Sequence, residues 1–344
     1  MRALVGFAVA VAAIGCAPPH RYVQSPEWRG DHFEYPADWP ARPGIGAFFK
    51  WTFGGRAFPS QSFRGPYREN DGVLLRSNRD RPSVTWIGHA TTLLQAGGVS
   101  ILTDPIFGER ISILFQRKAP PGVALAALPP IDAVVISHSH RDHLDEDSVR
   151  AIGARWPRVE FIVPLGLADW FRARGLEHVV ELEWWQSTQV AGRDGAGATV
   201  TMVPAQHWSQ RGPFDQNWSL WGGYVIDAAG TRFYFAGDTG YPAAFKEIGK
   251  RFPRIDFALL PIGAYEPRWF MHSQHMSPED AARAFAELGA NTLVPMHWGT
   301  FQLSDEPMDE PPALLYRAMG RRANRILFLP IGGSYFAPAA SSTR

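Results

Sequence analysis

Downstream of Ser83 the chain breaks into short β-branched or apolar runs, and four of them stop at a side chain able to bind a metal ion. "AVVIS" stops at His138, "TVTMVPAQ" at His207, "RFYFAG" at Asp238 and "NTLVPM" at His297. A strand that delivers a polar group at its C-terminal edge sets that group on a rigid element with an open loop beyond it. Sheets of α/β proteins build binding sites at such edges. Four strand ends with the same habit predict that their tips converge.

Further runs of this kind are "SVTWIGH", "VSILTD", "EFIVP", "GGYVIDAAG", "FALLPIG" and "RILFLPIGGSY", each closing on a turn signal. Helical stretches lie between some of them. "DEDSVRAIGARWP" offers Asp145 as an N-cap and stops at Pro157, and "LADWFRARG" ends on Gly175. "SPEDAARAFAELG" opens with Ser277 and Pro278 and closes on Gly289, the residue types that helix ends favour. Strands with interspersed helices predict an α/β layered protein, and 344 residues suffice for a full core. This domain is placed at 83–336, with a C-terminal tail at 337–344. Residues 16–82, rich in Pro, Gly, Arg and aromatics, read as an extended N-terminal arm laid across the domain, with one short helix near Gly46 to Thr52.

The segment "HSHRDH" sets His138, His140, Asp142 and His143 within one turn-like stretch. In an extended or tightly turned segment, positions i and i+2 point to one side, which gives two imidazoles to one ion. The following Asp142–His143 pair can then face a second ion. Imidazole with carboxylate suits zinc and other first-row divalent ions better than calcium, which prefers oxygen throughout. A solvated histidine-rich turn would leave His207, Asp238 and His297 each needing its own explanation. The formal net charge of +1 argues against a nucleic-acid partner held by a broad basic surface.

With "PAQHWSQRG", "GDTGY", "PIGAYEPRWFM" and "MHWGTF", the motif "HSHRDHLD" resembles the metallo-β-lactamase fold superfamily. "WIGHAT", "TDPIF" and "YEPRWFM" are similar to its N-acyl-phosphatidylethanolamine-hydrolysing phospholipase D branch in particular. The likeness runs over roughly residues 83–336. It implies a four-layer αββα sandwich with a two-metal site at one edge. It also implies that His138, His140 and His207 hold one ion, that Asp142, His143 and His297 hold the other, and that Asp238 bridges them. Zinc is the expected ion, and the same ligands accept iron or manganese.

Two such ions lower the pKa of a water held between them to about 7 and polarise phosphoryl oxygens. Asp142 and Asp238 are candidates to orient that water and take its proton. A cysteine or serine nucleophile is not needed, and no G-x-S-x-G elbow is present. His275, matched to the histidine of the family's "QH" pair, is the candidate catalytic donor to the leaving group; its bland reading is a surface or capping histidine. His89 and Asp104 are candidates to stand behind the ligands and hydrogen-bond them into place, or else simple turn residues. Trp208, Arg211, Tyr265 and His272 are substrate-binding candidates, with a guanidinium at Arg211 suited to phosphate and aromatic bodies suited to acyl chains.

The first residues, "MRALVGFAVAVAAIGCAPPH", carry Arg2, an apolar run from Ala3 to Ile14 and then Cys16, the only cysteine. The run is too short to span a bilayer as a helix and reads as a secretory signal. Small residues directly before Cys16 resemble a bacterial lipoprotein signal over residues 1–15, with Cys16 lipidated; an ordinary signal with an incidental cysteine is the alternative. The expected location is therefore the cell envelope, lipid-anchored, at the outer membrane, where a phospholipid substrate is concentrated. Three readings remain open from sequence: a phosphodiesterase of phospholipase D type, another hydrolase on the same fold (a lactonase, another phosphodiesterase, a β-lactamase), and a non-enzymatic metal-binding envelope lipoprotein.

Overall fold

The computed structural model describes residues 25–338 apart from 26, 35, 38, 55–61, 113–114 and 196. The signal segment and Cys16 lie outside the described residues. In chain order the strands are β1 (Ser83–Gly88), β2 (Thr91–Ala96), β3 (Val99–Thr103), β4 (Arg110–Ile111), β5 (Phe115–Gln116), β6 (Ala133–Val135), β7 (Glu160–Pro164), β8 (Val179–Leu182), β9 (Ser187–Ala191), β10 (Gly197–Val203), β11 (Gly223–Ala228), β12 (Thr231–Phe235), β13 (Phe257–Pro261), β14 (Thr292–Met296) and β15 (Ser334–Phe336). The helices are α1 (Ile45–Phe53), α2 (Val73–Ser77), α3 (Glu146–Arg155), α4 (Ala168–Arg172), α5 (Ala244–Arg251), α6 (Arg268–Met271), α7 (Pro278–Leu288) and α8 (Pro311–Met319).

One sheet has the order β15-β1-β2-β3-β6-β7-β8 and the other β14-β13-β12-β11-β10-β9; β4 and β5 form a separate ribbon. Side-chain alternation explains why the sheets stack. Leu94, Ile101, Val135 and Ile162 of the first sheet join Val200, Met202, Ile226 and Phe233 of the second in one core. Their neighbours Leu93, Leu102, Val134 and Phe161 face the other way, against Val149 and Ile152 of α3 and Trp170 and Phe171 of α4. Phe245 and Ile248 of α5 and Ala281 and Phe285 of α7 extend the main core, and α7 packs on β13. The result is a four-layer αββα sandwich. Fully burying each large apolar side chain contributes roughly 1.5–3 kcal/mol, so strands buried on both faces read as nearly continuous apolar runs.

Strand direction explains the convergence of ligands. β1 and β2 are antiparallel, β2 and β3 are antiparallel, and β3, β6 and β7 are parallel. β1, β3 and β6 therefore end at the same edge, and just beyond them stand His89, Asp104 and His138. In the second sheet, β10 is antiparallel to β11 and β11 to β12, while β12, β13 and β14 are parallel. β10, β12 and β14 thus share a direction, and His207, Asp238 and His297 follow their C-terminal ends.

Helix ends follow their local chemistry. Asp145 caps α3 by accepting from the Ser148 N–H, and Ser277 and Asp280 form a reciprocal capping box on α7, which ends at left-handed Gly289. One strand expectation is corrected. "RILFLPIGGSY" is not one strand: it makes two isolated bridges, Ile326 with Leu293 and Ile331 with Tyr67, and joins a ladder only in β15. Pro330 has no N–H to give a ladder, and Gly332 turns away at φ +86°. The arm carries α1 where a short helix is expected, and it docks through buried Trp28 and Phe33 and through bridges from Tyr67 to Ile331 and Asn70 to Val123. Among the described residues no helix is long and apolar enough to cross a membrane.

Candidate metal centre

His138 and His140 lie on the loop after β6, and His207 lies on the loop after β10. His138 Nε2 is 2.8 Å from His140 Nδ1, which is 3.1 Å from His207 Nε2. A second group stands beside it. His143 Nε2 lies 3.2 Å from His297 Nε2, 3.4 Å from Asp142 Oδ2 and 3.1 Å from Asp238 Oδ2. Asp238 reaches both groups, with Oδ1 3.1 Å from His297 Nε2 and Oδ2 3.9 Å from His207 Nε2. Gly237 makes this approach possible. At φ +60° it sits against Ser137, and a Cβ there would be 2.5 Å from the Ser137 Cβ.

The imidazoles have their tautomers set from behind. His138 Nδ1 lies 2.8 Å from Ser137 Oγ, His143 Nδ1 lies 2.7 Å from Asp104 Oδ2, and His207 Nδ1 lies 3.0 Å from the Gln274 carbonyl. With those nitrogens donating, each Nε2 presents a lone pair to the centre. Asp104 also accepts from the Ser137 N–H at 2.7 Å and the Ser137 hydroxyl at 2.5 Å. His89 Nε2 lies 3.1 Å from Asp142 Oδ2. Backbone strain collects here as well: His89, Asp104 and His297 have φ of +54°, +34° and +61°, conformations costing roughly 1–3 kcal/mol each. A dense frame holds them. The His89 carbonyl accepts from the Trp86 indole at 2.9 Å and from the His297 N–H at 3.0 Å, and the His89 N–H donates to Thr300 Oγ1 at 2.7 Å.

These donors fit divalent ions. Three buried ring nitrogens face one another in the first group, and few protons can be shared among them. Asp238 Oδ1 is buried without a hydrogen bond, although it is within ion-pair distance of His297. An unsatisfied buried acceptor of this kind is costly unless a cation meets it. Electrostatics divides the groups. Burial first, with neighbouring imidazoles adding to it, holds His138 and His207 well below the usual range, and burial holds His140 at about 3. In the second group burial opposes charge, but Asp238 and Asp142 outweigh it, keeping His143 well above its usual value and His297 at about 9. Burial would likewise raise Asp142 and Asp238; His143 foremost holds both carboxylates well below their usual range.

Residues 100–298 match the model of the β-lactamase superfamily domain. N-acyl-phosphatidylethanolamine-hydrolysing phospholipase D 1 of Caenorhabditis elegans is 35% identical over 316 residues, covering 84% of this chain and 88% of that one. The chain belongs to the metallo-β-lactamase superfamily, in that phospholipase D-like branch. An uncharacterised Mycobacterium tuberculosis protein is 43% identical over 254 residues, covering 71% of this chain and 66% of that one. The fold is shared with Igni18, a metallo hydrolase of Ignicoccus hospitalis, at a TM-score of 0.58 and 22% identity over 75% of this chain and 99% of that one. This superfamily member is a metal-dependent hydrolase.

As in other hydrolases the centre needs an approach, and a cleft of about 790 Å³ supplies one. His140 and His275 line it, and its walls mix apolar side chains, Phe48 and Trp51 of α1, Phe270 and Met271 of α6, and Leu303, with the amides of Gln210, Gln216, Asn217 and Gln274. Trp51 stacks on Phe270 with ring centroids 5.1 Å apart, and its indole donates to Asp305 at 2.9 Å. Of the residues expected to meet substrate, Trp208 and His275 line this cleft. His275 Nδ1 is buried, 3.8 Å from Asp238 Oδ2, and burial keeps its pKa down at about 4.

Three substrate expectations are corrected. Arg211 does not line the cleft. It donates to the carbonyls of Ser139 at 3.0 Å and Leu144 at 2.6 Å and lies over Trp170, so it braces the ligand loop instead of presenting a cation to substrate. The Tyr265 hydroxyl donates to Glu310 at 2.7 Å, away from the cleft. His272 is exposed, with Nδ1 2.9 Å from the Arg268 carbonyl one turn back. Sequence reasoning missed Ser137 and the Gln274 carbonyl behind the ligands, and Arg42 in the cleft wall. Ser137 is signalled only by its place directly before His138, and the other two have no local signal.

Proposed function

We propose that this hydrolase is a phosphodiesterase of phospholipase D type acting on N-acyl-phosphatidylethanolamine or a related phospholipid. The observation that carries this reading is the cleft opening at His140 and His275, whose apolar side chains Phe48, Trp51, Phe270 and Met271 suit acyl chains and whose polar ones suit a headgroup. The names of the phospholipase D relatives support it. His138, His140 and His207 would hold one ion and Asp142, His143 and His297 the other, with Asp238 between them. The all-imidazole first group favours zinc. Bound there, two divalent ions supply Lewis acidity to the phosphoryl group and acidify a water.

The chain's own residues do the rest. Asp142, kept ionised and held by the His89 N–H, accepts the proton of the attacking water. Asp238, also ionised, reaches both ligand groups. Water oxygen joins phosphorus as the bond to the N-acylethanolamine oxygen breaks, leaving phosphatidate. His275 is neutral near pH 7, so it serves the leaving oxygen as a hydrogen-bond donor, and the proton that Asp142 took from the water is passed on to that oxygen, which departs as the alcohol. Anchoring through a lipidated Cys16 at the outer membrane belongs to the same proposal, since it would hold the cleft at a bilayer; labelling with a fatty acid and its loss in Cys16→Ser check it.

The direct test purifies the chain from residue 17, measures bound metal, and assays phospholipids, other phosphodiesters and lactones with Asp238→Asn alongside. We expect bound metal and release of N-acylethanolamine, lost in the variant. Turnover of lactones alone would refute the phospholipase reading.

A further inference from the structure

The oxygen behind His207 differs from those behind His138 and His143. Ser137 adjoins its ligand in sequence and Asp104 follows β3 directly, whereas the Gln274 carbonyl belongs to the turn between α6 and α7, 67 residues along the chain from His207. A carbonyl on a connecting turn sets a tautomer only if something holds the turn. Gln206, buried and directly before His207, makes that link: its Nε2 donates to the Ser273 carbonyl at 2.9 Å, one residue from the Gln274 carbonyl. Its main chain is fixed as well, the N–H donating to Thr239 Oγ1 at 2.9 Å and the carbonyl accepting from the Gly240 N–H at 2.8 Å. Thr239 directly follows Asp238. One residue therefore joins the loop after β10, the loop after β12 and the α6–α7 turn. Gly240 admits the amide, since a Cβ there would stand 2.4 Å from Gln206 Nε2. The same turn carries His275, whose ring centroid lies 5.2 Å from that of His207.

We propose that Gln206 is a positioning residue of the first ion's site: its amide holds the α6–α7 turn so that the Gln274 carbonyl keeps the His207 proton on Nδ1 and leaves Nε2 for the ion. This rests on the assignment of His207 to an ion and on no particular substrate. Gln206 Oε1 is buried and makes no hydrogen bond, so exchanging the amide for a thioether removes one bond and leaves both main-chain links in place.

The test compares Gln206→Met and Gly240→Ala with the parent chain. Gly240→Ala reaches the same contact from the other side, by crowding the amide. Gln95→Met is the control. Gln95 is also buried and donates to a carbonyl, that of Leu75, but it pairs with Ser83 and Ser100 at the opposite end of the first sheet's strands from His89 and Asp104. Zinc affinity is read by competition with a chromophoric chelator, and the His207 Nδ1–H by proton NMR of the zinc-loaded, ¹⁵N-histidine-labelled chain. Gln206→Met and Gly240→Ala should each lose about tenfold or more in affinity for one ion, move the His207 Nδ1–H signal and quicken its exchange with water. Gln95→Met should leave all three as in the parent. Unchanged affinity in Gln206→Met overturns the inference, as does weaker affinity with an unmoved Nδ1–H signal, or an equal loss in Gln95→Met. If Gln206→Met does not fold, Gly240→Ala decides on the same terms. A parent chain that binds no zinc removes the ligand assignment, and the inference with it, before any variant is compared; failure to cleave phospholipid touches neither.

Discussion

Asp104→Asn isolates what the residues behind the ligands contribute. Asp104 is fully buried and accepts three hydrogen bonds: from the Ser137 N–H, from the Ser137 hydroxyl and from His143 Nδ1. Its left-handed φ of +34° is one that asparagine tolerates better than most residues, so the substitution changes charge and hydrogen bonding with little added strain. An amide has one acceptor oxygen. If that oxygen serves the Ser137 N–H, the NH₂ faces Ser137 Oγ, which can accept, and His143 Nδ1, which as an N–H cannot. The imidazole must then take the other tautomer, with its proton on Nε2, the nitrogen directed at His297 and Asp238. If the amide is flipped, the NH₂ opposes the Ser137 N–H, and one buried donor is unsatisfied.

Either arrangement weakens one ligand of the second ion. Loss of such an outer partner costs about 10–100-fold in metal affinity, which corresponds to about 1.4–2.7 kcal/mol. Competition against a chromophoric chelator, with two-step occupancy resolved, should show this loss at the weaker-bound ion, while the His138–His140–His207 group changes less. Equal affinity in parent and variant for both ions would refute the claim that Asp104 fixes the His143 tautomer.

Two other expectations follow from the same geometry. Trp51→Ala removes both the stack on Phe270 and the bond to Asp305, loosening α1 at the cleft; kcat/KM for long-chain phospholipid should fall about fivefold, with a smaller fall for a short-chain one and unchanged metal content, if the stack contributes about 1 kcal/mol. Acid should destabilise the metal-free protein. Burial holds His89, His140 and His275 at about 3, 3 and 4, against about 6.5 in an unfolded chain. From pH 6.5 down to 4 the unfolded chain binds more protons, so stability falls as pH falls, by about 1.4 kcal/mol per pH unit for each group. His143 and His297, raised in the fold, carry their protons in both states across most of that window and add little slope. Urea midpoints of the metal-free protein at pH 7, 6 and 5 should decline in order, and a flat series would refute this assignment.

What was legible in the sequence was local. Helix caps such as Asp145 and Ser277 act within one turn, and strand ends carrying His138, His207, Asp238 and His297 needed only an apolar run followed by a ligand. Their convergence was readable because strand direction puts like ends at like edges. "RILFLPIGGSY" misled because its apolar run looks like a strand, whereas pairing is governed by the N–H that Pro330 lacks.

The arginines show where such reading stops. Arg211 follows a ligand closely in sequence, and its charge suited a phosphate; in the fold its guanidinium meets two carbonyls of the ligand loop, whose positions depend on a segment about seventy residues earlier. Arg42 lies in a proline-rich arm with no periodic signal, yet reaches Trp208 beside His140. A guanidinium's role depends on which acceptors surround it, and those are set by tertiary packing. Substrate recognition therefore had to be read from the assembled cleft, whereas metal binding was already written in the spacing of its ligands.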